Sequence, residues 1–114
     1  VIDDHSSIRT LASEFLRDEG YTVLPVPDVG AGLAVVQERG VDLILLDHST
    51  GHVQDDEFIR SVRHQTSRTL PIVLWTAWPK PDDQALAIGA DGGLEKPISM
   101  EALLARVRQE IGAP

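Results

Sequence analysis

Asp3 and Asp4 end the opening run "VIDD", Asp47 ends "VDLILLD", Thr76 ends "LPIVLWT", and Lys96 follows "GLE". Three carboxylates brought together would repel one another unless a cation neutralised them. The chain has no cysteine, so the donors on offer are oxygens. Oxygen donors favour a hard ion, foremost Mg²⁺ keeping several of its waters. Lys96 would add a fixed positive charge and Thr76 a hydroxyl donor. Cation, ammonium and hydroxyl converging on a carboxylate describe a cradle for a phosphoryl group. The chemistry exists only if the fold gathers these separated residues.

Apolar runs of strand length alternate with segments of helical period, a βαβα rhythm that argues for a parallel sheet covered on both faces by helices. Ser6 or Ser7 suits the N-cap of a first helix that turns Ile8, Leu11, Phe15 and Leu16 inward and stops at Gly20. "YTVLPV" follows as a second strand, expected at an edge because Pro25 cannot donate to a sheet ladder. Asp28 suits the cap of a helix carrying Leu33, Val35 and Val36 to Gly40, with Gly30 and Gly32 weakening its start. "VDLILLD" is a central strand, apolar on both faces. "DDEFIRSVRHQ" reads as an acidic helix start with Phe58, Ile59 and Val62 inward, and "LPIVLWT" as the fourth strand. Beyond the turn "WPKP", Asp82 or Asp83 suits the cap of a helix running through Ala85, Leu86 and Ile88 to Gly89. "GLE" is a short fifth strand, and Ser99 suits the cap of a last helix carrying Leu103, Leu104, Val107 and Ile111. The expectation is an α/β fold with a five-stranded parallel sheet and five helices. Ligands of such open sheets collect outside the carboxyl ends of the strands. Asp3, Asp4, Asp47, Thr76 and Lys96 all fall at that edge.

A chain of 114 residues and 12.4 kDa, 42% hydrophobic and 25% charged, is about one globular domain's worth. The net charge of -8 disfavours direct nucleic-acid binding, which needs clustered Lys and Arg, and suits cations or basic partners. There is no apolar run long enough to span a bilayer and no signal-peptide pattern, so the expected setting is the cytoplasm. The opening "VIDD", already inside an apolar segment and without Met, reads as a domain over residues 1–114 trimmed within its first strand.

Asp-Asp after the first strand, Asp after "LILL", Thr-Ala after "IVLW" and Lys-Pro after the fifth strand, in this order, resemble the response-regulator receiver domain (CheY-like) of bacterial two-component signalling. The resemblance covers essentially the whole chain and implies a (βα)5 flavodoxin-like fold. It implies that Asp47 is the phosphoacceptor, charged by a histidine kinase or phosphotransfer protein. It also implies that Asp4 and Asp47 bind Mg²⁺ directly, with the backbone carbonyl of Ser49 as a further ligand and Asp3 acting mainly through water. Thr76 and the amide of Ala77 would hold phosphoryl oxygens, Lys96 would pair with another, and the Lys96–Pro97 bond would be cis. Such a domain is no enzyme toward other substrates. It performs self-directed phosphotransfer and autodephosphorylation and switches conformation for an output domain or downstream protein. Homodimerisation stays open.

Several residues depart from that pattern. Gly93 stands where receivers usually carry an aromatic residue three positions before the lysine, so the usual coupling to the threonine is not expected. Thr50 and Gly51 replace the customary Met-Pro after the phosphoacceptor, and Asp55 replaces a turn glycine. Pro79 and Pro81 in "WPKP" fix φ where the switch loop must bend. The expectation is output through another surface or readout. An alternative reading is a pseudo-receiver, a phosphorylation-independent interaction scaffold on the same fold. An aspartate-nucleophile phosphatase would want a second acid where Ser49 stands, and a flavin binder a phosphate-holding loop where Asp3 and Asp4 stand; both fare poorly. His48 and His52 read as polar loop residues rather than zinc ligands, and His5 and His64 as solvent-facing. Trp75 reads as core packing, and Trp78 as a cover for the phosphoryl pocket.

Overall fold

In the computed structural model, residues 1–48, 53–65, 70–97 and 99–114 are described. Helices α1 (Ser6–Asp18) and α2 (Val29–Glu38) precede strand β1 (Ile44–Asp47). Then come α3 (Val53–Gln65), β2 (Ile72–Thr76), α4 (Pro81–Ile88), β3 (Gly92–Glu95) and α5 (Met100–Ile111). The three strands form a parallel sheet in the order β1-β2-β3, with Asp47 opposite Trp75 and Thr76 opposite Glu95.

The expected five strands are thus three among the described residues, and the first two survive as single bridges. Ile2 pairs in parallel with both Leu46 and Val26. Ile2 N–H donates to Leu45 O (2.8 Å) and Asp47 N–H to Ile2 O (2.8 Å), so the opening segment lies beside β1. Val26, flanked by Pro25 and Pro27, which have no N–H, pairs on its far side. Prolines on either side of one pairing residue explain why that segment is an edge contact rather than a full strand. The spatial order, second segment, first segment, β1, β2, β3, reverses direction at Ile2, which makes the crevice beside Asp3 and Asp47 a topological switch point.

Alternation along the strands divides the interior in two. Ile44, Leu46, Ile72 and Leu74 face α2, α3 and α4, meeting Phe58, Ile59, Val62 and Ala85. Leu45, Val73 and Trp75 face α1 and α5, meeting Ala12, Leu16, Leu103, Leu104 and Val107. Burial on both faces is why these runs are continuously apolar. Each fully buried Leu or Ile contributes roughly 1.5–3 kcal/mol relative to exposure. Gly32 lets α2 close onto the sheet, because a Cβ there would lie 2.5 Å from Ile2 Cδ1.

Asp28 and Ser99 cap their helices as expected, accepting from Ala31 N–H (2.8 Å) and Ala102 N–H (3.1 Å). Other boundaries differ. His5, without a side-chain cap bond, precedes α1 in place of a capping Ser6 or Ser7. Helix α3 opens at Val53, two residues before the acidic pair. Helix α4 opens at Pro81, whose fixed φ suits a first helical position, and Lys80 before it adopts φ 55°. Leu11, expected on the inner side of α1, is 57% exposed, and Leu86 in α4 is 72% exposed. The helix phase instead buries their neighbours Ala12 and Ala85. No helix among the described residues is long and apolar enough to cross a membrane.

Candidate functional site

The carboxyl edge of the sheet brings together the residues that the sequence separates. Asp3 follows the bridging Ile2, Asp47 ends β1, Thr76 ends β2, and Lys96 follows β3. Lys96 N–H donates to Thr76 O (2.6 Å), which ties the turn after β3 to the end of β2, and the Lys96–Pro97 bond is cis as expected. From there Lys96 Nζ reaches Asp47 Oδ1 at 2.6 Å and Asp3 Oδ2 at 3.3 Å. Asp3 is fully buried. Its Oδ1 accepts His5 N–H (2.8 Å), and its backbone carbonyl accepts from Arg9 (2.6 Å). A carboxyl group at that depth is tolerated because donors surround it. Asp4 is exposed beside it, and His5 Nδ1 lies 3.0 Å from Asp4 Oδ1 and 3.3 Å from Asp3 Oδ1.

Ligand atoms of Asp3, Asp4, His5 and Asp47 lie within 4.8 Å of one another. Three carboxylates set against the single ammonium of Lys96 leave negative charge for a cation to offset, and the oxygen-rich set fits a hard divalent ion such as Mg²⁺. Both oxygens of Asp3 already meet protein donors, which leaves Asp4 and Asp47 as the better placed direct ligands. Ser49, Thr50, Gly51 and His52 lie outside the described residues.

Thr76 is wholly buried, and its Oγ1 accepts Trp78 N–H (3.2 Å) across the exposed Ala77. Trp78 meets the site through this amide, and its side chain is 51% exposed. Further along, the chain turns through Lys80 into α4 and presses on β3. A Cβ on Gly93 would lie 2.5 Å from Pro81 O and 2.7 Å from Pro81 C. Gly93 N–H donates to Asp82 Oδ1 (3.0 Å), so Asp82 anchors α4 to the strand instead of capping the helix. The place of the usual aromatic side chain is filled by backbone.

Two features escaped the sequence reading. His48 is buried, and its Nδ1 meets Asp55 Oδ2 at 2.6 Å, joining the residue after Asp47 to the first turn of α3. A polar pair seven apart in sequence has no helical or strand period, so only two departures from the expected loop, read together, could have signalled it. His5 faces solvent, 65% exposed, yet its ring edge stands at the carboxylate cluster. Its place directly after Asp3 and Asp4 was the available sign.

A family model described as "Response regulator receiver domain" matches residues 1–108. The phosphate regulon transcriptional regulatory protein PhoB of Pseudomonas aeruginosa is 32% identical over 111 residues, covering 95% of this chain and 48% of PhoB. Regulatory protein VanRc of Enterococcus gallinarum is 27% identical over 113 residues, covering 97% of this chain and 48% of VanRc. The chain thus spans about half the length of these curated relatives. Among solved structures, the chemotaxis protein CheY4 of Vibrio cholerae superposes with a TM-score of 0.84 at 33% identity, over 96% of this chain and 93% of that one.

Proposed function

Because the chain belongs to the response regulator receiver domain family, we propose that Asp47 accepts a phosphoryl group from a histidine kinase or a phosphotransfer protein and that the resulting acyl phosphate is the signal. The observation that carries this reading is Lys96 Nζ held at 2.6 Å from Asp47 Oδ1 and 3.3 Å from Asp3 Oδ2, at the edge where Thr76 also ends. Asp47 supplies the nucleophilic oxygen. Its O–P bond forms in line as the N–P bond of the donor phosphohistidine breaks, and the imidazole leaves with that electron pair. Lys96 exchanges its contact with Asp47 for a phosphoryl oxygen, and the Thr76 hydroxyl and the amide of Ala77 receive others. Asp4, Asp47 and the carbonyl of Ser49 would hold a Mg²⁺ ion directly, and Asp3 through water. Bound there, such an ion neutralises charge on the transferring group.

The transfer is self-directed, without turnover of a separate substrate, and water later hydrolyses the acyl phosphate. When the Thr76 hydroxyl turns toward the phosphoryl group, the Trp78 amide loses its acceptor, which biases the loop leading into α4. Phosphorylation thereby shifts a two-state equilibrium through contacts made only in one state. An output module or downstream protein reads the shift.

Intact mass after incubation with Mg²⁺ and acetyl phosphate tests the reading, beside Asp47→Asn and a chelator control. A single labile phosphate that requires both Asp47 and Mg²⁺ is expected. No adduct, together with no response to a phosphoryl mimic such as beryllofluoride, would overturn it.

A further inference from the structure

Trp75 directly precedes Thr76 and stands in register with Asp47 on one side and Leu94 on the other. Its ring lies in the α1–α5 half of the core, which by itself suggests simple packing. Two observations go further. The buried Nε1–H finds no hydrogen-bond partner among the described residues, a desolvation cost that a leucine or phenylalanine would avoid. And Lys96 Nζ stands over the ring, 4.9 Å from its centroid, within the range where the negative face of an aromatic attracts an ammonium.

The same ammonium touches Asp47 and Asp3. A lysine head on a flexible four-carbon stem has many positions open to it. Here the ring forms one wall and two carboxylates form the other. We propose that Trp75 is a positioning residue for Lys96, its ring face holding the ammonium against Asp47 and confining it to a short pivot when Asp47 gains its phosphoryl group. Trp75 touches none of the reacting atoms and acts through Lys96. The proposal rests on the phosphoacceptor reading for its consequence, though the contact itself is tested without phosphate.

The test uses the native chain, Trp75→Phe and Trp75→Leu. By NMR, the ε-methylene protons of Lys96 should show an upfield ring-current shift in the native chain, a smaller one in Trp75→Phe and none in Trp75→Leu. The initial rate of phosphorylation by acetyl phosphate with Mg²⁺ should fall about three- to tenfold in Trp75→Leu and stay within about twofold in Trp75→Phe. Lost core volume would rank the two rates in the same order, so the graded Lys96 shift is the readout that separates the contact from packing. Unshifted Lys96 protons in the native chain would overturn the proposal, as would a Leu variant at the native rate or Phe and Leu variants that are equally slow. If the Leu variant does not fold, the native-chain shift still decides. A native chain that takes no phosphate and gives no response to beryllofluoride but shows the shift would remove the phosphoacceptor reading and leave the Trp75–Lys96 contact standing.

Discussion

The acceptor edge and the α4–β3 face share strands β2 and β3, yet they hold their residues in opposite ways. At the edge the contacts run between side chains: Lys96 meets Asp47 and Asp3 from 49 and 93 residues away in sequence. On the face the strand meets its neighbour through its backbone, with the Pro81 carbonyl 2.5 Å from where a Cβ on Gly93 would stand and the Gly93 amide donating to the Asp82 carboxylate. A side chain exchanges partners by rotating about its own bonds. Packed backbone moves only with the element that carries it. The edge is therefore free to regroup, as the phosphoryl group proposed for Asp47 would require, while α4 is anchored to β3 and joined to Thr76 through the Trp78 amide.

The deepest break in this contrast is Lys96→Ala. It should slow acetyl-phosphate phosphorylation by about 100-fold, the scale of losing one preorganised donor to a developing charge. It also strips the buried Asp3 of its cation, so urea unfolding should report a loss of about 2 kcal/mol. A rate within tenfold of native would mean that the edge is not organised around this ammonium. Next comes His48→Ala, which removes the 2.6 Å partner of Asp55 Oδ2. About 2 kcal/mol of stability should go, with a phosphorylation rate that falls less than in Lys96→Ala. Equal rate losses in the two variants would place His48 in the acceptor machinery rather than beneath it.

Two neighbouring glycines on the α4–β3 face differ in what a side chain would meet. A Cβ on Gly93 meets Pro81 backbone, whereas one on Gly92 meets the Arg106 guanidinium, the movable end of a long side chain. Gly93→Ala should therefore cost about 2 kcal/mol in urea unfolding, within the range for forced overpacking, and Gly92→Ala under about 1 kcal/mol. Equal costs would show that α4 is not seated on backbone.

The same difference explains what was legible in the sequence. Asp3, Asp4, Asp47, Thr76 and Lys96 could be grouped because each follows an apolar run and a parallel sheet puts such run ends on one edge. The helix caps at Asp28 and Ser99 are equally local signals. Gly93 could be seen as a missing aromatic. That Pro81 would fill the gap depends on Lys80 at φ 55° and on the approach of a whole helix, which no periodicity records. The His48–Asp55 pair was hidden for a related reason, since a separation of seven residues matches neither the helical nor the strand repeat. Five strands were expected where three form ladders among the described residues, because apolar composition marks a segment as interior without saying how many of its amides find partners.

The smallest expected effect lies where the two regions join. Trp78→Ala keeps the backbone amide that donates to Thr76 Oγ1, so the link from the edge to α4 remains. What goes is a half-exposed ring two residues beyond Thr76, whose bulk is expected to hinder the water that would hydrolyse an acyl phosphate on Asp47. Loss of phosphate, followed by intact mass after the donor is removed, should quicken by about two- to threefold, well under the tenfold that 1.4 kcal/mol would bring. An unchanged rate would mean that the ring does not screen the phosphoryl group. A tenfold rise would give the side chain more influence than the amide and shift the junction from backbone to indole.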